Sequence, residues 1–348
     1  MAAKEINNRL DEIRAMALNI YMEQSAVRDG VTAEEVKGIL LGMASGQETL
    51  LGYFRRFIRN FEKRVGINRT VGSLRAYSNA YSHIERFLQA QYKLSDIPFS
   101  ALDRSFIDKY DLYLRTERNL APGTIINLTV QLKTIVGEAI ADGIITASPF
   151  MGYEPMRPKH VQKYLTAEEL HRIMTTPLHR QTLYHVRDMF LFSCFTGIPY
   201  GDMRLLTKDN LCLAEDGIWW IKSARQKTKI EFEIPLLDLP LQILKKYSGT
   251  APGDKLLPMY CNSTLNLYLK EIARICHIDR PLVFHAGRHT YATEITLSHG
   301  VPLETVSRML GHSQIETTQI YAKVTDEKID ADTKALNRKI SERFSVVI

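Results

Sequence analysis

His285-Ala286-Gly287-Arg288-His289-Thr290, then Leu310-Gly311-His312-Ser313, then Gln319-Ile320-Tyr321, set out imidazoles, a guanidinium and a phenol in fixed order near the C-terminus. Residues three apart on a helix share one face, so His285 and Arg288 point together while His289 falls on another face and reads as structural. Gly311 can take the left-handed conformation that ends a helix, and Ser313-x-x-Glu316 could cap the next one. Arg288 offers a fixed fork of N–H donors matched to two phosphate oxygens, and it keeps its charge near neutral pH. With imidazole donors and a phenolic hydroxyl nearby, such a set can hold a phosphodiester and attack it. Read singly, each residue has a plainer explanation. Tyr321 could be a core ring beside Ile320 and Val324, one of 16 tyrosines, and His312 could merely occupy a tight helix–turn–helix corner.

The ordered HxxR, LGH and tyrosine nine residues beyond the second histidine, with Lys227 upstream, resemble the catalytic half of the tyrosine recombinase, or phage integrase, family. That resemblance implies that Tyr321 attacks the scissile phosphorus and forms a 3′-phosphotyrosyl bond. The ester stores the energy of the phosphodiester, so neither ATP, metal nor other cofactor is expected. Arg288 would carry transition-state charge, and His285 and His312 would donate to phosphate oxygens or orient the tyrosine. Lys227 sits in Ser223-Ala-Arg-Gln-Lys-Thr-Lys229, between two expected strands. In the family a lysine on this hairpin protonates the departing 5′ oxygen, and Lys227 fits its offset from Ile234-Pro235-Leu236 better than Lys229 does. By composition alone the hairpin is a solvated basic turn.

One segment departs from the family pattern. Phe195-Thr196-Gly197-Ile198-Pro199-Tyr200-Gly201-Asp202-Met203 resembles the TGLRxxE box, but Pro199 stands where the first catalytic arginine belongs. Some integrases of mobile elements resemble this chain in that loss. Arg225 is the expected substitute, because residues two apart on a strand share a face and Arg225 would project with Lys227. Arg204 is the second candidate, although its position along the helix should turn it away. Asp202 matches the acidic position of the box and is expected to orient the basic cluster.

The 348 residues, 45% hydrophobic and 24% charged, suffice for two cores, and the net charge of +6 suits a polyanionic partner. Cys194, Cys212, Cys261 and Cys276 show neither CxxC pairs nor metal-ligand spacing with histidine, so no metal site or disulfide framework is expected. There is no signal-peptide pattern and no apolar run long enough for a bilayer. A cytoplasmic, DNA-associated protein with no membrane partner is the expectation.

Hydrophobic periodicity gives a mainly α architecture. An N-terminal helical segment (1–46) holds helices at Lys4–Gln24 and Thr32–Met43. A helical bundle (47–153) holds helices at Thr49–Val65, Val71–Tyr92, Asp103–Arg118 and Pro122–Ala141. The resemblance identifies this bundle as the SAM-like core-binding domain, with the strand-rich arm domain of many mobile-element integrases absent or truncated. A basic linker (154–164), broken by two prolines, precedes a mixed α/β, mostly helical catalytic domain (165–348). That domain opens on a Thr166-x-x-Glu169 capping box and contains a small antiparallel sheet from Ile218–Lys222 and Ile230–Ile234. A last helix (325–344), with Ile329, Leu336 and Ile340 on one side, could pack within its own domain; the resemblance implies instead that it docks into a neighbouring protomer, as such tails often do in this family.

DNA contacts are expected from Arg75, Asn127, Lys133, Lys159 and Lys229, each of which could equally be solvated surface. The whole implies a site-specific recombinase or integrase acting on double-stranded DNA as a homo-tetramer on two duplexes, for integration, excision or inversion of a mobile element. Accessory DNA-bending or excision proteins would be further partners. A DNA-binding protein of the same fold impaired in catalysis, and an enzyme like type IB topoisomerases, are the alternatives.

Overall fold

The computed structural model describes residues 2–26, 30–33, 36–37, 40, 48–156, 163–321, 330, 333–334, 336–338 and 340. The helix expected over 32–43, the tail helix over 325–344 and the linker over 154–164 fall largely outside the described residues, and Lys159 falls outside them. Contacts divide the chain into two compact units, Met1–His160 and Val161–Ile348.

The first unit contains α1 (Ala2–Ser25), α2 (Leu50–Glu62), α3 (Val71–Phe87), α4 (Arg104–Thr116) and α5 (Pro122–Ala141). Local chemistry sets the helix ends. The Thr70 hydroxyl accepts from the Ser73 amide at the start of α3, and Asp103 accepts from Phe106 N at the start of α4. Pro122 opens α5, its missing N–H costing nothing there, and Asp142-Gly143 closes it with Gly143 at φ +74°. The α3 helix continues as a π-helical turn, Leu88–Tyr92. Ile84, Phe87 and Leu88 from this segment are fully buried with Phe54 and Tyr110. Thr49 precedes α2 without a side-chain cap, and Asp96 supplies one from 45 residues away. Its carboxylate accepts from Leu51 N (2.8 Å), Gly52 N (3.0 Å) and Ile97 N (2.8 Å).

The second unit begins with α6 (Ala167–Thr175), whose Thr166–Glu169 capping box is formed reciprocally. Next is α7 (Gln181–Thr196), a helix apolar on nearly every side, with Val186, Met189, Phe190, Phe192 and Cys194 fully buried. Gly197 ends it at φ +70°, where a Cβ would run into the Tyr291 ring. After the short α8 (Tyr200–Met203), β1 (Leu211–Leu213), β2 (Trp219–Ala224) and β3 (Glu231–Pro235) form an antiparallel sheet in that order. Ile221 pairs with Leu211 on one side and Ile234 on the other. The sequence pattern revealed β2 and β3; β1, three residues long, is too short to show a period.

Helices α9 (Asp238–Lys246), α10 (Asn262–Ile275), α11 (Ala286–Thr290), α12 (Leu303–Met309) and α13 (Glu316–Gln319) complete the unit. The α11 backbone lies close on α7 because Gly287 has no side chain: a Cβ there would meet Ser193 Oγ at 2.9 Å. Among the described residues no helix is long and apolar enough to cross a membrane.

Replacing Asp96 by alanine leaves the first amides of α2 unpaired and should lower stability by about 1–2 kcal/mol, the usual cost of a lost N-terminal cap. A fall in the urea midpoint of unfolding at unchanged slope is the expected readout.

Candidate active site

The close approach of α11 to α7 buries Arg288, which is only 3% exposed. Its Nη1 donates to Gly197 O (2.9 Å), and its Nη2 donates to Leu310 O (2.7 Å) and to His312 Nε2 (2.8 Å). Burial and the neighbouring Arg225 charge pull its pKa down to about 10, so it remains a cation at neutral pH. A buried guanidinium whose backbone acceptors are fixed in place is preorganised for anion binding.

Leu310 O also accepts from Arg225 Nη1 at 3.0 Å, which sets the two guanidinium groups side by side. Arg225 is held from behind by Asp202, with Nε to Oδ2 at 2.7 Å, while Asp202 Oδ1 accepts from Gln226 N at 2.9 Å. Asp202 therefore anchors both the side chain of Arg225 and the backbone of its turn. Strand alternation, expected to pair Arg225 with Lys227, does not do so. β2 ends at Ala224, and Lys227 lies in the turn beyond it, so the two residues do not alternate along a strand. The turn itself, closed by Lys229 N donating to Arg225 O (2.8 Å), brings both to one cleft. Lys229 takes the left-handed conformation (φ +60°) and does not line that cleft, and Arg204 is exposed away from it. Pro199 immediately precedes α8 and lines a smaller neighbouring hollow with His285.

The cleft, about 870 Å³, is lined by Arg225, Lys227, His285, Arg288, His312 and Tyr321 among others. Gly311 turns the chain at φ +64°, and a Cβ there would lie 2.9 Å from Arg225 Cγ. The turn leads His312 into the cleft, where Nδ1 lies 2.7 Å from Thr318 Oγ1. Glu316 begins α13, but no side chain caps that helix and Ile315 occupies the position before it, so the expected Ser313 cap does not form. Tyr321 follows α13 and is 7% exposed, packed with Tyr291, Val306 and Leu310. Its ring stacks on His312 (centroids 6.3 Å apart, planes at 10°) and meets His289 edge to face (5.1 Å, 63°).

His289, which the helical face assigned to structure, thus touches the tyrosine; α11 is short enough for the cleft to wrap around two of its faces. Lys163 and Thr318 are further neighbours that the sequence did not single out. Burial depresses both His289 and His312 to about 4, reinforced by His285, Lys163 and Arg288 for the first and by Arg288 and Arg225 for the second. Burial raises Tyr321, and the Arg288 and Arg225 charges oppose that rise. His285 precedes α11 and is lowered by its protein surroundings and by Arg288, Arg225 and Lys163. Near neutral pH the cleft therefore presents fixed cations, neutral imidazoles and a protonated phenol.

Arg75 on α3, and Asn127 and Lys133 on α5, are exposed in the first unit, where Lys133 Nζ donates to Tyr153 O at 3.3 Å.

The sequence profile of the phage integrase family matches residues 163–328, and that of the phage integrase SAM-like domain matches residues 49–155. The chain belongs to the phage integrase family of site-specific tyrosine recombinases. Among curated relatives, the tyrosine recombinase XerD of Listeria monocytogenes is 25% identical over 273 residues, covering 74% of this chain and 89% of its own length. XerD of Staphylococcus saprophyticus is 26% identical over 297 residues, 81% of this chain and 96% of its own. Two solved structures share the fold. The Tn1549 transposon integrase in complex with transposon right end DNA has a TM-score of 0.65 at 18% identity, over 83% of this chain and 99% of that one. A lambda integrase dimer bound to a COC' core site has a TM-score of 0.65 at 18% identity, over 80% and 100%.

The depressed histidines make the DNA-free integrase acid-sensitive. The unfolded chain takes up protons on both rings near 6.5, the folded chain only near 4, so stability falls as pH drops through that window. Thermal midpoints should decrease from pH 6.5 towards 4.5, and the NMR signals of both imidazoles should keep their neutral form at pH 5.5. Charged rings at that pH would contradict the assignment.

Proposed function

We propose that Tyr321 cleaves one strand of duplex DNA by attacking a phosphodiester, that the 3′ end is held as a phosphotyrosyl ester, and that a 5′ hydroxyl from another strand reverses the attack. The observation that carries this reading is the position of the Tyr321 ring, 7% exposed and stacked on His312, in the cleft that Arg288 lines in the same chain. Attack adds negative charge to the non-bridging oxygens in a five-coordinate transition state. Two fixed guanidinium groups, Arg288 and Arg225, meet that charge without reorganising solvent. Arg225 takes the part left open by Pro199, and Asp202 orients it. His312 and His285 hydrogen-bond the phosphate oxygens. Lys227, exposed at the tip of the hairpin, donates the proton that the departing 5′ oxygen requires. The bond to Tyr321 forms as the bond to the 5′ oxygen breaks; the phenolic proton passes to solvent water while the Lys227 proton goes to the 5′ oxygen, and the ester keeps the free energy of the original linkage, so no nucleotide is spent.

Exchange between two duplexes needs four cleavages, which a homo-tetramer supplies. A lambda integrase structure is a tetramer bound to a Holliday junction, which supports the same assembly here. The likeness to a transposon integrase supports movement of a mobile element as the biological reaction, carried out on the DNA with accessory DNA-bending or excision proteins as candidate partners. Arg75, Asn127, Lys133, Lys159 and Lys229 are proposed DNA contacts outside the reacting group.

Incubating the protein with sheared genomic DNA of the encoding strain, then denaturing and sequencing DNA bound covalently to protein, tests this reading and locates the site. A nicked duplex of that site should give an adduct that Tyr321→Phe abolishes. Joining of two duplexes distinguishes a recombinase from relaxation by a topoisomerase, and a wild-type chain that binds DNA without any adduct would leave only a binding protein. Arg225→Ala should slow adduct formation by roughly 10²–10³, the cost of removing one preorganised donor. Wild-type rates in that variant would show that Arg225 does not substitute for the missing arginine.

A further inference from the structure

We infer that Thr318 is a positioning residue for the reaction, because its hydroxyl holds His312 through Nδ1 and serves the ring in each protonation state that binding and releasing phosphate requires. The inference rests on the strand-cleavage reading above.

Arg288 has donors only, so Nε2 of His312 must be an acceptor where Arg288 Nη2 meets it at 2.8 Å. A neutral imidazole that accepts at Nε2 carries its proton on Nδ1. That proton is donated to Thr318 Oγ1 at 2.7 Å. Thr318 is fully buried on α13 (0% exposed), so its hydroxyl is shielded from bulk solvent. In the free protein His312 is thus locked with the wrong nitrogen protonated for donation to DNA.

A phosphate oxygen arriving beside Arg288 offers an acceptor to Nε2 and lowers the cost of a proton there. The ring then takes a proton from solvent on Nε2. If Nδ1 keeps its own proton, the Thr318 oxygen still accepts it; if that proton is lost, the hydroxyl rotates and donates to the bare Nδ1. A hydroxyl does both, whereas a backbone carbonyl or an amide N–H in its place would fix one tautomer. The groups facing His312 are Arg288 from α11, Arg225 from the β2–β3 turn and the Tyr321 ring following α13. The guanidinium groups offer only donors, so Thr318, whose hydroxyl can donate or accept, is the adjustable partner among them.

Position adds a second consequence. Thr318 O accepts from Tyr321 N at 3.0 Å, so the residue whose side chain orients His312 also fixes the backbone that presents the nucleophile. Serine preserves the hydroxyl, and valine preserves the shape without it.

Thr318→Val and Thr318→Ser, with the wild type, can be compared on the nicked duplex of the mapped site, measuring duplex affinity and the rate of covalent adduct separately. The valine variant should bind within about threefold of wild type and form adduct roughly 10- to 100-fold more slowly, the effect of removing the partner that orients a functional histidine. The serine variant should recover most of the rate. Valine at wild-type rate, or serine as slow as a folded valine variant, overturns the inference. A second arm needs no variant: 15N NMR of the wild-type protein without DNA should show His312 protonated on Nδ1, and protonation should appear on Nε2 when the duplex is added to Tyr321→Phe. An Nε2–H tautomer in the free protein overturns it too. Absence of any wild-type adduct would count against strand cleavage itself, while the DNA-free spectrum would still decide what Thr318 does.

Discussion

The burial of one guanidinium organises this catalytic unit. Arg288 is removed from water yet stays charged, which is tolerable only because two backbone carbonyls and an imidazole meet its donors. Each acceptor comes from a different part of the chain: Gly197 at the end of α7, Leu310 at the end of α12, His312 just beyond it. Satisfying the charge therefore fixes those three segments against α11. The glycines at these junctions follow from the same demand. Gly197 and Gly311 take left-handed conformations where a Cβ would strike Tyr291 or Arg225, and Gly287 lets α11 settle on α7.

Placing the tyrosine adds a hydrophobic contribution to this polar core. Tyr321 is packed with Tyr291, Val306 and Leu310, so the ring is held by a small satellite core while His312 stacks on it and His289 meets it edge to face. The ring is buried enough to keep its proton in the absence of DNA, and the adjacent positive charge limits how far its acidity is suppressed. The proposed nucleophile is thus a neutral phenol set beside fixed positive charge.

Much of the candidate site is legible in the sequence, because its parts depend on short-range order. The HxxR spacing, the glycine before His312 and the nine-residue offset to Tyr321 all act within one or two turns of chain, and the structure gathers these residues in one cleft. The bundle helices were equally readable from periodicity and from Thr70, Asp103 and Pro122 at their starts. What escaped depends on contacts across long stretches of sequence. Arg225 shares Leu310 O with Arg288 across 85 residues, and Asp96 caps a helix that begins 46 residues earlier. His289 looked misplaced on a helical wheel because the wheel assumes one functional face, whereas the ring of Tyr321 rests against a second. The Ser313 cap failed because α13 starts after Ile315, leaving the serine in the turn.

The anchoring of Arg225 has a mechanical side. In the family pattern the first arginine belongs to the segment after α7, whereas here Pro199 stands there and Arg225, the proposed substitute, lies on the β2–β3 turn with Lys227. One loop then carries both Arg225 and the exposed Lys227, fastened to the body by the Asp202 carboxylate and by Leu310 O. Because both side chains ride on one turn, anything that shifts that turn moves two positive charges together, so their places in the cleft are set jointly rather than one at a time.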